Sequence, residues 1–280
     1  AFREEWRPMN EVVVQPDGKI LVCGAFTNVN GVARCSLARL HGDGTLDETF
    51  NAASVSAAQH IVLQPHGRML VNGVFPSLNQ PVIRLHPDGS HDPTFNLSRP
   101  PASSSFVVFT IAAQPDGKIL VGYGYDDNVA RFNADGSLDS SFQPGHWMNG
   151  FIYQLIVQPD GKILVGGEFM TRLDPIQYNV ARLNADGTLD ETFNAGDAAG
   201  PLRGWFDEPK VRALALQPDG RVVVGTEAEG NLNGRYAFLR LLPDGARDPS
   251  FNAAVNQDHV APYGMVPLAD GTILINGSFA

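Results

Sequence analysis

Seven histidines, two cysteines and thirty carboxylates are the side chains with which this protein could do chemistry. Their spacing decides what kind. No histidines stand in a His-x-x-x-His or His-Glu-x-x-His relation that would ligate zinc from one face, and His41, His66 and His86 occupy turn positions. There is no Gly-x-Ser-x-Gly elbow and no glycine-rich phosphate loop closing on Lys-Ser/Thr. Asn133, Asp135 and Asp139, and again Asn184, Asp186 and Asp190, offer oxygen ligands at spacings faintly like those of a calcium loop. The plainer reading is hairpin chemistry, because Asn and Asp side chains hydrogen-bond their own backbone in turns; no other cofactor is implied. Glu4, Glu5, Glu11, Asp207, Glu208 and Asp258 could serve a polysaccharide hydrolase or lyase, a reaction that depends on the separation of two carboxylates. Cys23 and Cys35 fall nearly opposite each other if the chain turns around Asn28 to Gly31, within disulfide reach; a bond would agree with an oxidising, extracellular setting. The alternative is two free thiols.

The elements that must position such groups are constrained by composition. The 280 residues carry a formal charge of −10, and 43% of them are apolar. Gly (29) and Pro (20) exceed the usual combined share of roughly 12% but stay below the 25–30% at which disorder becomes the expectation. Only Lys19, Lys118, Lys162 and Lys210 are lysines, and an acidic, lysine-poor chain argues against binding a phosphate backbone. The strongest apolar run, Phe106 to Ala113, falls far short of the ~18 residues of a membrane helix, so membrane insertion is not expected. The opening residues, Ala-Phe-Arg-Glu-Glu-Trp, contain neither an initiator Met nor the apolar segment of a secretory signal, as expected of a processed chain or one cut from a longer protein.

Self-similarity dominates what remains. QPDGKILVCG begins at Gln15, and related decapeptides begin at Gln64, Gln114, Gln158, Gln217 and, in degenerate form, at Leu268. Between them runs a second motif, LHGDGTLDETF from Leu40, repeated from Leu85, Phe132, Leu183 and Leu241. In Gln-Pro-Asp-Gly, Pro presets the first central position of a type I turn and Gly takes the left-handed position that lets two strands continue as a hairpin. The apolar runs on either side, such as Leu155-Ile156-Val157 and Ile163-Leu164-Val165, are continuous rather than alternating, which predicts strands covered on both faces. Each unit of roughly 50 residues therefore reads as a four-stranded antiparallel meander, A to D. Repeated sheets sandwiched between neighbours make a β-propeller. The expected fold is all-β, one propeller over residues 1–280, with repeats near 11–51, 60–96, 110–143, 154–194, 212–252 and a partial one at 263–280. Five full repeats and a half imply six blades, with seven as the alternative.

QPDGKILVGG followed by ARLNADGTLDETFNAG resembles the bacterial delta-sixty repeat, and the resemblance covers nearly the whole chain. It implies a propeller of unassigned function within large secreted or surface-exposed bacterial proteins, often beside adhesion-type modules, and it brings no catalytic residues. His66 replaces the turn Asp in the second copy, and Leu268 and Ala269 replace Gln-Pro in the sixth.

Internal repetition separates scaffold from function, because a side chain present in every blade cannot explain a role needed once. Arg39, Arg84, Arg131, Arg182 and Arg240 are presumed scaffold. So are Asp47, Asp92, Asp139, Asp190 and Asp248, and the Phe three residues beyond each. The expectation is a partly buried Arg–Asp pair tying strands or blades, with the Phe packed between blades. Variation concentrates in the D–A connections, where loops on a rigid scaffold commonly carry binding residues. They and the N-terminal piece hold Trp6, His146, Trp147, Arg203, Trp205, Asp207 and His259, with Tyr153 and Tyr263 close by, and Trp and Tyr are frequent interface anchors. The sequence reading is thus a non-catalytic, secreted or cell-surface module, part of a larger chain or assembly, that binds a protein or glycan through its D–A face. A structural building block and a polysaccharide-cleaving enzyme are the alternatives; nucleic acid is not an expected partner.

Overall fold

The computed structural model describes residues 9–75, 78, 80–98, 107–125, 129–145, 148–172, 176–196, 210–227, 238–251, 253, 260–268 and 270–279. They are nearly all strand and turn. The A strands are Met9–Val14, Ala58–Leu63, Val108–Ala113, Met148–Val157, Lys210–Leu216 and Val260–Pro267. The B strands are Ile20–Gly24, Met69–Phe75, Ile119–Tyr125, Ile163–Thr171, Val222–Glu227 and Ile273–Phe279, and the C strands Leu37–Leu40, Gln80–Leu85, Val129–Phe132, Tyr178–Leu183 and Phe238–Leu241. The chain divides into two compact units. One comprises Ala1–Pro101, Phe106–Val121 and Arg131–Asp139, and the other Ala102–Ser105, Gly122–Ala130 and Ser140–Ala280.

Turn chemistry sets the register within each repeat. In the first copy Gly18 N donates to Gln15 O at 2.9 Å, Gln15 N donates to Lys19 O at 2.8 Å, and Gly18 has φ +82. Asp17 Oδ1 accepts from Lys19 N, the self-bonding that makes Asp a good turn residue. The A and B strands then pair antiparallel, and B pairs with C so that Leu21 faces Arg39, Leu70 faces Arg84, Leu164 faces Arg182 and Val223 faces Arg240. The expected D strand is short. It contacts C through one bridge per repeat, such as Leu40 to Leu46 and Leu183 to Leu189, because the Asp-x-x-Phe that follows turns out of the sheet to make its own contacts. The second copy, with His66 in place of Asp, makes a 3-10 turn over Pro65–Gly67 in which His66 itself takes φ 62.

Coverage on both faces holds for the B strands of the first five repeats: Leu21, Leu70, Leu120, Leu164 and Val223, with the residue after each, are all buried. Full burial of such a side chain stabilises by about 1.5–3 kcal/mol, so these strands form the core of each unit. The first A strand departs from the expectation, since Val12 and Val14 are exposed. Of the two alternatives for the cysteines, a bond or two free thiols, the structure shows the second. Cys23 pairs in register with Leu37, two residues past Cys35, and both thiols are free, Cys23 buried against Gln59 O and Cys35 exposed.

The repeated arginine, aspartate and phenylalanine form one cluster per repeat. Arg Nε donates to Asp Oδ2 at 2.8 Å for Arg39–Asp47, 2.8 Å for Arg84–Asp92, 2.7 Å for Arg131–Asp139, 2.6 Å for Arg182–Asp190 and 2.8 Å for Arg240–Asp248. The other carboxylate oxygen accepts from the residue two positions on, Thr94 N and Oγ1 both donating to Asp92 Oδ1. The guanidinium lies over the Phe ring at 4.8 Å for Arg39 and Phe50 and at 4.7 Å for Arg182 and Phe193, a cation–π contact. Three of the four lysines complete the arrangement: Lys19, Lys118 and Lys162 reach Asp47, Asp139 and Asp190.

The same arginines bind repeat to repeat. Nη1 of Arg39, Arg84 and Arg182 donates to the carbonyl oxygens of Pro87, Ala134 and Pro243, each in the C–D turn of the next copy. Beside them Asn51 N donates to Asp88 O and Asn194 N to Asp244 O. The glycines of the C–D turns that receive such an arginine, Gly89, Gly136 and Gly245, are therefore hemmed in, whereas Gly44 of the first repeat meets nothing within 4 Å. A Cβ on Gly136 would lie 2.4 Å from Asn96 O, and one on Gly245 2.7 Å from the Asn194 backbone, whereas one on Gly18 meets nothing within 4 Å.

Burial raises the pKa of Asp92, but the hydrogen bonds from Thr94 and Arg84 outweigh it and hold the carboxyl down at about 2. A depressed carboxylate pKa stabilises the fold above its unfolded value of about 4 and loses that contribution as pH falls through the folded value. Two outcomes are expected. Asp92→Ala, which leaves Arg84 buried without its counter-charge, lowers the unfolding free energy by about 3–5 kcal/mol in urea titration, and the wild-type midpoint declines between about pH 4 and pH 2. Gly18→Ala carries only the strain of a left-handed residue, about 1–2 kcal/mol, while Gly245→Ala, which must also push backbone away, is destabilised further in the same assay.

Candidate functional site

Each A strand whose register is resolved breaks its pairing at the same distance before the turn glycine. Register skips between Met9 and Glu11, Ala58 and His60, Ile152 and Gln154, Val211 and Ala213, and Pro262 and Gly264. A β-bulge at each point re-aims one side chain and increases local twist. The bulged residues are Asn10, Gln59, Tyr153, Arg212 and Tyr263. The backbone device repeats, while the side chain it presents changes among Asn, Gln, Arg and Tyr, with tyrosine occurring twice.

In the second unit this position builds a compact polar and aromatic cluster. The Arg212 guanidinium lies 4.2 Å from the centroid of the Tyr153 ring, and Arg212 Nε donates to Glu227 Oε2 at 2.6 Å. Tyr153 Oη donates to Glu168 Oε2 at 3.1 Å, and Lys210 Nζ stands 3.7 Å from the same oxygen. Phe151, directly opposite Glu168 in the strand pair, holds its ring parallel to Tyr153, within 2°, with centroids 6.3 Å apart. Burial, reinforced by the charge of Glu168, pushes the Tyr153 hydroxyl well above the usual tyrosine pKa. It therefore stays protonated and donates. The four charged side chains are between a quarter and a third exposed, so the cluster remains reachable from solvent.

None of these residues is scaffold. Where the fourth and fifth repeats have Glu168 and Glu227, the first three have Ala25, Val74 and Gly124; where they have Phe151 and Lys210, the second and third have Ala57 and Val107. Lys210 is also the one lysine not bound to a repeated Asp. The arrangement offers aromatic surface at the D–A end of its A strands, hydroxyl and ammonium donors, and carboxylate acceptors already matched to cations. That suits recognition of an amphipathic or polyhydroxylated surface.

The first unit uses the same bulges differently. Asn10 Nδ2 donates to Ala58 O at 2.9 Å, and Glu11 Oε2 accepts from Ile61 N at 2.5 Å with His60 Nδ1 at 3.8 Å. Burial, only partly offset by the Ile61 bond, pushes the Glu11 carboxyl up to about 7, and burial lowers the His60 pKa. Burial and the Glu11 charge push the Cys23 thiol up to about 12, so it is an inert thiol rather than a nucleophile. These groups join the first two A strands.

Of the residues expected to bind a partner, Tyr153 is central to the cluster and Tyr263 is exposed on the last bulge. Trp6, His146, Trp147, Arg203, Trp205, Asp207 and His259 lie outside the described residues, as do the carboxylates Glu4, Glu5, Glu208 and Asp258. The sequence reading missed Glu168, Lys210, Arg212 and Glu227; comparing residues at equal offsets from each turn glycine would have found them. The oxygens proposed for calcium are engaged in turns: Asp135 and Asp186 accept from Ser137 and Thr188, Asn133 and Asn184 donate to the same hydroxyls, and Asp139 and Asp190 each face an Arg and a Lys. Among the described residues no group of three or more His, Cys, Asp or Glu could hold a metal. No helix there is long and apolar enough to cross a membrane.

Comparison with known proteins agrees with this architecture. A family described as "Domain of unknown function (DUF5122) beta-propeller" matches residues 15–50, 114–142, 158–193 and 217–251, four of the Arg–Asp–Phe repeats. No curated protein matches the sequence. Among solved structures, a protein of unknown function from Bacteroides caccae superposes with a TM-score of 0.54 at 16% identity, over 88% of this chain and 83% of that one. The Neurospora crassa Pan2 WD40 domain superposes with a TM-score of 0.54 at 10% identity, over 96% and 72%. PorZ, a bacterial surface component of the type-IX secretion system of Porphyromonas gingivalis, superposes with a TM-score of 0.55 at 12% identity, over 96% of this chain and 39% of its own. Identities this low speak to fold alone, and together with the matched repeats they make this chain an all-β protein of the β-propeller fold, built from antiparallel β-propeller repeats.

Proposed function

We propose that this propeller, of the delta-sixty type, is a non-catalytic binding module of a secreted or surface-exposed bacterial protein, and that it recognises a protein or glycan through the D–A end of its A strands. The observation that carries this reading is the cluster of Phe151, Tyr153, Glu168, Lys210, Arg212 and Glu227, drawn from the fourth and fifth repeats, with Tyr153 and Arg212 presented from a backbone bulge that other repeats share. Aromatic faces flanked by matched charges bind pyranose C–H faces and hydroxyls, or a peptide's amides, without needing an unpaired charge. Both carboxylates are engaged, Glu168 by Tyr153 and Lys210 and Glu227 by Arg212, so they edge the aromatic surface with matched rather than unpaired charge. A surface setting is supported by the superposition of this chain on part of PorZ, a bacterial surface component.

The test is a glycan array probed alongside a panel of purified extracellular-matrix and bacterial surface proteins. At least one probe is expected to bind saturably, and Tyr153→Ala and Arg212→Ala are each expected to weaken that binding at least tenfold while circular dichroism stays unchanged. Trp147→Ala and Trp205→Ala are expected to weaken it as well. Binding unaffected by all four substitutions, or turnover of a bound glycan, contradicts the proposal.

A further inference from the structure

The sixth repeat carries the sequence of a buried strand on a strand that is exposed. Leu274 and Ile275 stand at the positions of Leu21 and Val22, Leu70 and Val71, Leu164 and Val165, and Val223 and Val224, all of which are 3% exposed or less. Yet Leu274 is 60% exposed and Ile275 37%. Among the described residues Ile273–Phe279 pairs only with Val260–Pro267, so the edge that faces a C strand in the other repeats is open. A long apolar edge of this kind is a template for another strand.

A second observation, on the neighbouring repeat, points to the same absent element. Nη1 of Arg39, Arg84 and Arg182 each holds a carbonyl in the C–D turn of the following repeat. Arg240 keeps its Asp248 pair and its place over Phe251, but among the described residues it donates to no such carbonyl. Its side chain is 21% exposed, against 8% for Arg39 and Arg84 and 11% for Arg182. Among the described residues, a strand unpaired on its C side and an arginine that holds no turn carbonyl point to one and the same partner element. The other repeats define that element.

We infer that Ile273–Phe279 and Arg240 form a docking edge for a C–D hairpin of this same repeat code, Ala-Arg-Leu/Phe-x-x-Asp-Gly-x-x-Asp-x-x-Phe, supplied from outside the described residues. The register follows from the filled repeats. Leu21 faces Arg39, Leu164 faces Arg182 and Val223 faces Arg240, so the incoming Arg lies opposite Leu274. Val22 faces Ala38 and Val165 faces Ala181, so the residue before it lies opposite Ile275. The carbonyl two residues before the incoming turn glycine accepts from Arg240, as Pro87, Ala134 and Pro243 accept from their arginines. Strand addition of this kind takes its affinity from backbone hydrogen bonds and its specificity from alternate side chains.

The probe is a labelled synthetic peptide with the sequence of residues 178–194, Tyr-Asn-Val-Ala-Arg-Leu-Asn-Ala-Asp-Gly-Thr-Leu-Asp-Glu-Thr-Phe-Asn, titrated against the 280-residue chain by fluorescence anisotropy, with hydrogen exchange followed by mass spectrometry. Saturable one-to-one binding is expected, with slowed exchange confined to 273–279. Replacing the peptide's Gly187 with Val, which the left-handed turn position disfavours, is expected to weaken binding at least tenfold. Ile275→Lys, at an exposed position that leaves folding intact, is expected to do the same. Arg240→Lys, which keeps a charge for Asp248 but has no second nitrogen to reach the turn carbonyl, is expected to weaken binding severalfold. Absence of saturable binding, equal binding of a scrambled peptide, or protection elsewhere overturns the inference. So does concentration-dependent self-association that Ile275→Lys abolishes, which would assign the edge to a second copy of this chain.

Discussion

The fork of a buried arginine is the contact on which the rest depends. One guanidinium nitrogen binds an aspartate of its own repeat, another binds a turn carbonyl of the next, and the planar face covers a phenylalanine. Lysine could supply the charge but not three directions at once. A buried ion pair alone is weak evidence for stability, since desolvation offsets most of the Coulombic gain. Here the carboxylate is matched at both oxygens, by Arg and by a Thr or Ser, and the repeat-to-repeat bond is charge-assisted. The pair therefore sets geometry as well as energy. It fixes how far one C–D turn stands from its neighbour, which leaves no room for a Cβ at Gly136 or Gly245.

A scaffold held at its C–D turns leaves the far ends of the A strands free to vary. The bulge exploits that freedom: the backbone irregularity is kept while its side chain varies from Asn10 and Gln59 to Arg212 and the two tyrosines Tyr153 and Tyr263. In one unit the position supports packing between strands, through Asn10 and its neighbour Glu11. In the other it assembles an aromatic surface edged with paired charges. One fold thus carries structural and recognition roles at equivalent sites, in keeping with the rule that function resides in sites placed on a fold rather than in the fold.

Much of this was legible in the sequence because it is written several times. Gln-Pro-Asp-Gly announced hairpins, the continuous apolar runs announced strands buried on both faces, and the recurrence of Arg, Asp and Phe announced their joint role. What escaped had no repeated signal. The D strand shrinks to a bridge because Asp47 and its equivalents turn the chain toward the arginine, a tertiary demand that the Leu-Asp-x-x-Phe pattern does not display. Register, which spacing alone does not give, places Leu37 rather than Cys35 opposite Cys23. Tyr153 was found by its residue type, but its partners Glu168, Lys210, Arg212 and Glu227 sit within strand motifs and read as ordinary solvent-facing charges until copies are compared position by position.

The measurement that tests this account most directly is the urea unfolding of Arg84→Lys beside wild type, with wild-type and variant m-values compared. A lysine keeps the positive charge next to Asp92 but cannot also hold Ala134 O. If the fork joins the repeats, the variant loses about 1.5–3 kcal/mol, the contribution of a hydrogen bond to a charged group, and hydrogen exchange quickens at Asn96 and the 134–136 turn. Stability and exchange equal to wild type would show that charge neutralisation alone explains the repeated arginine, and would contradict the account.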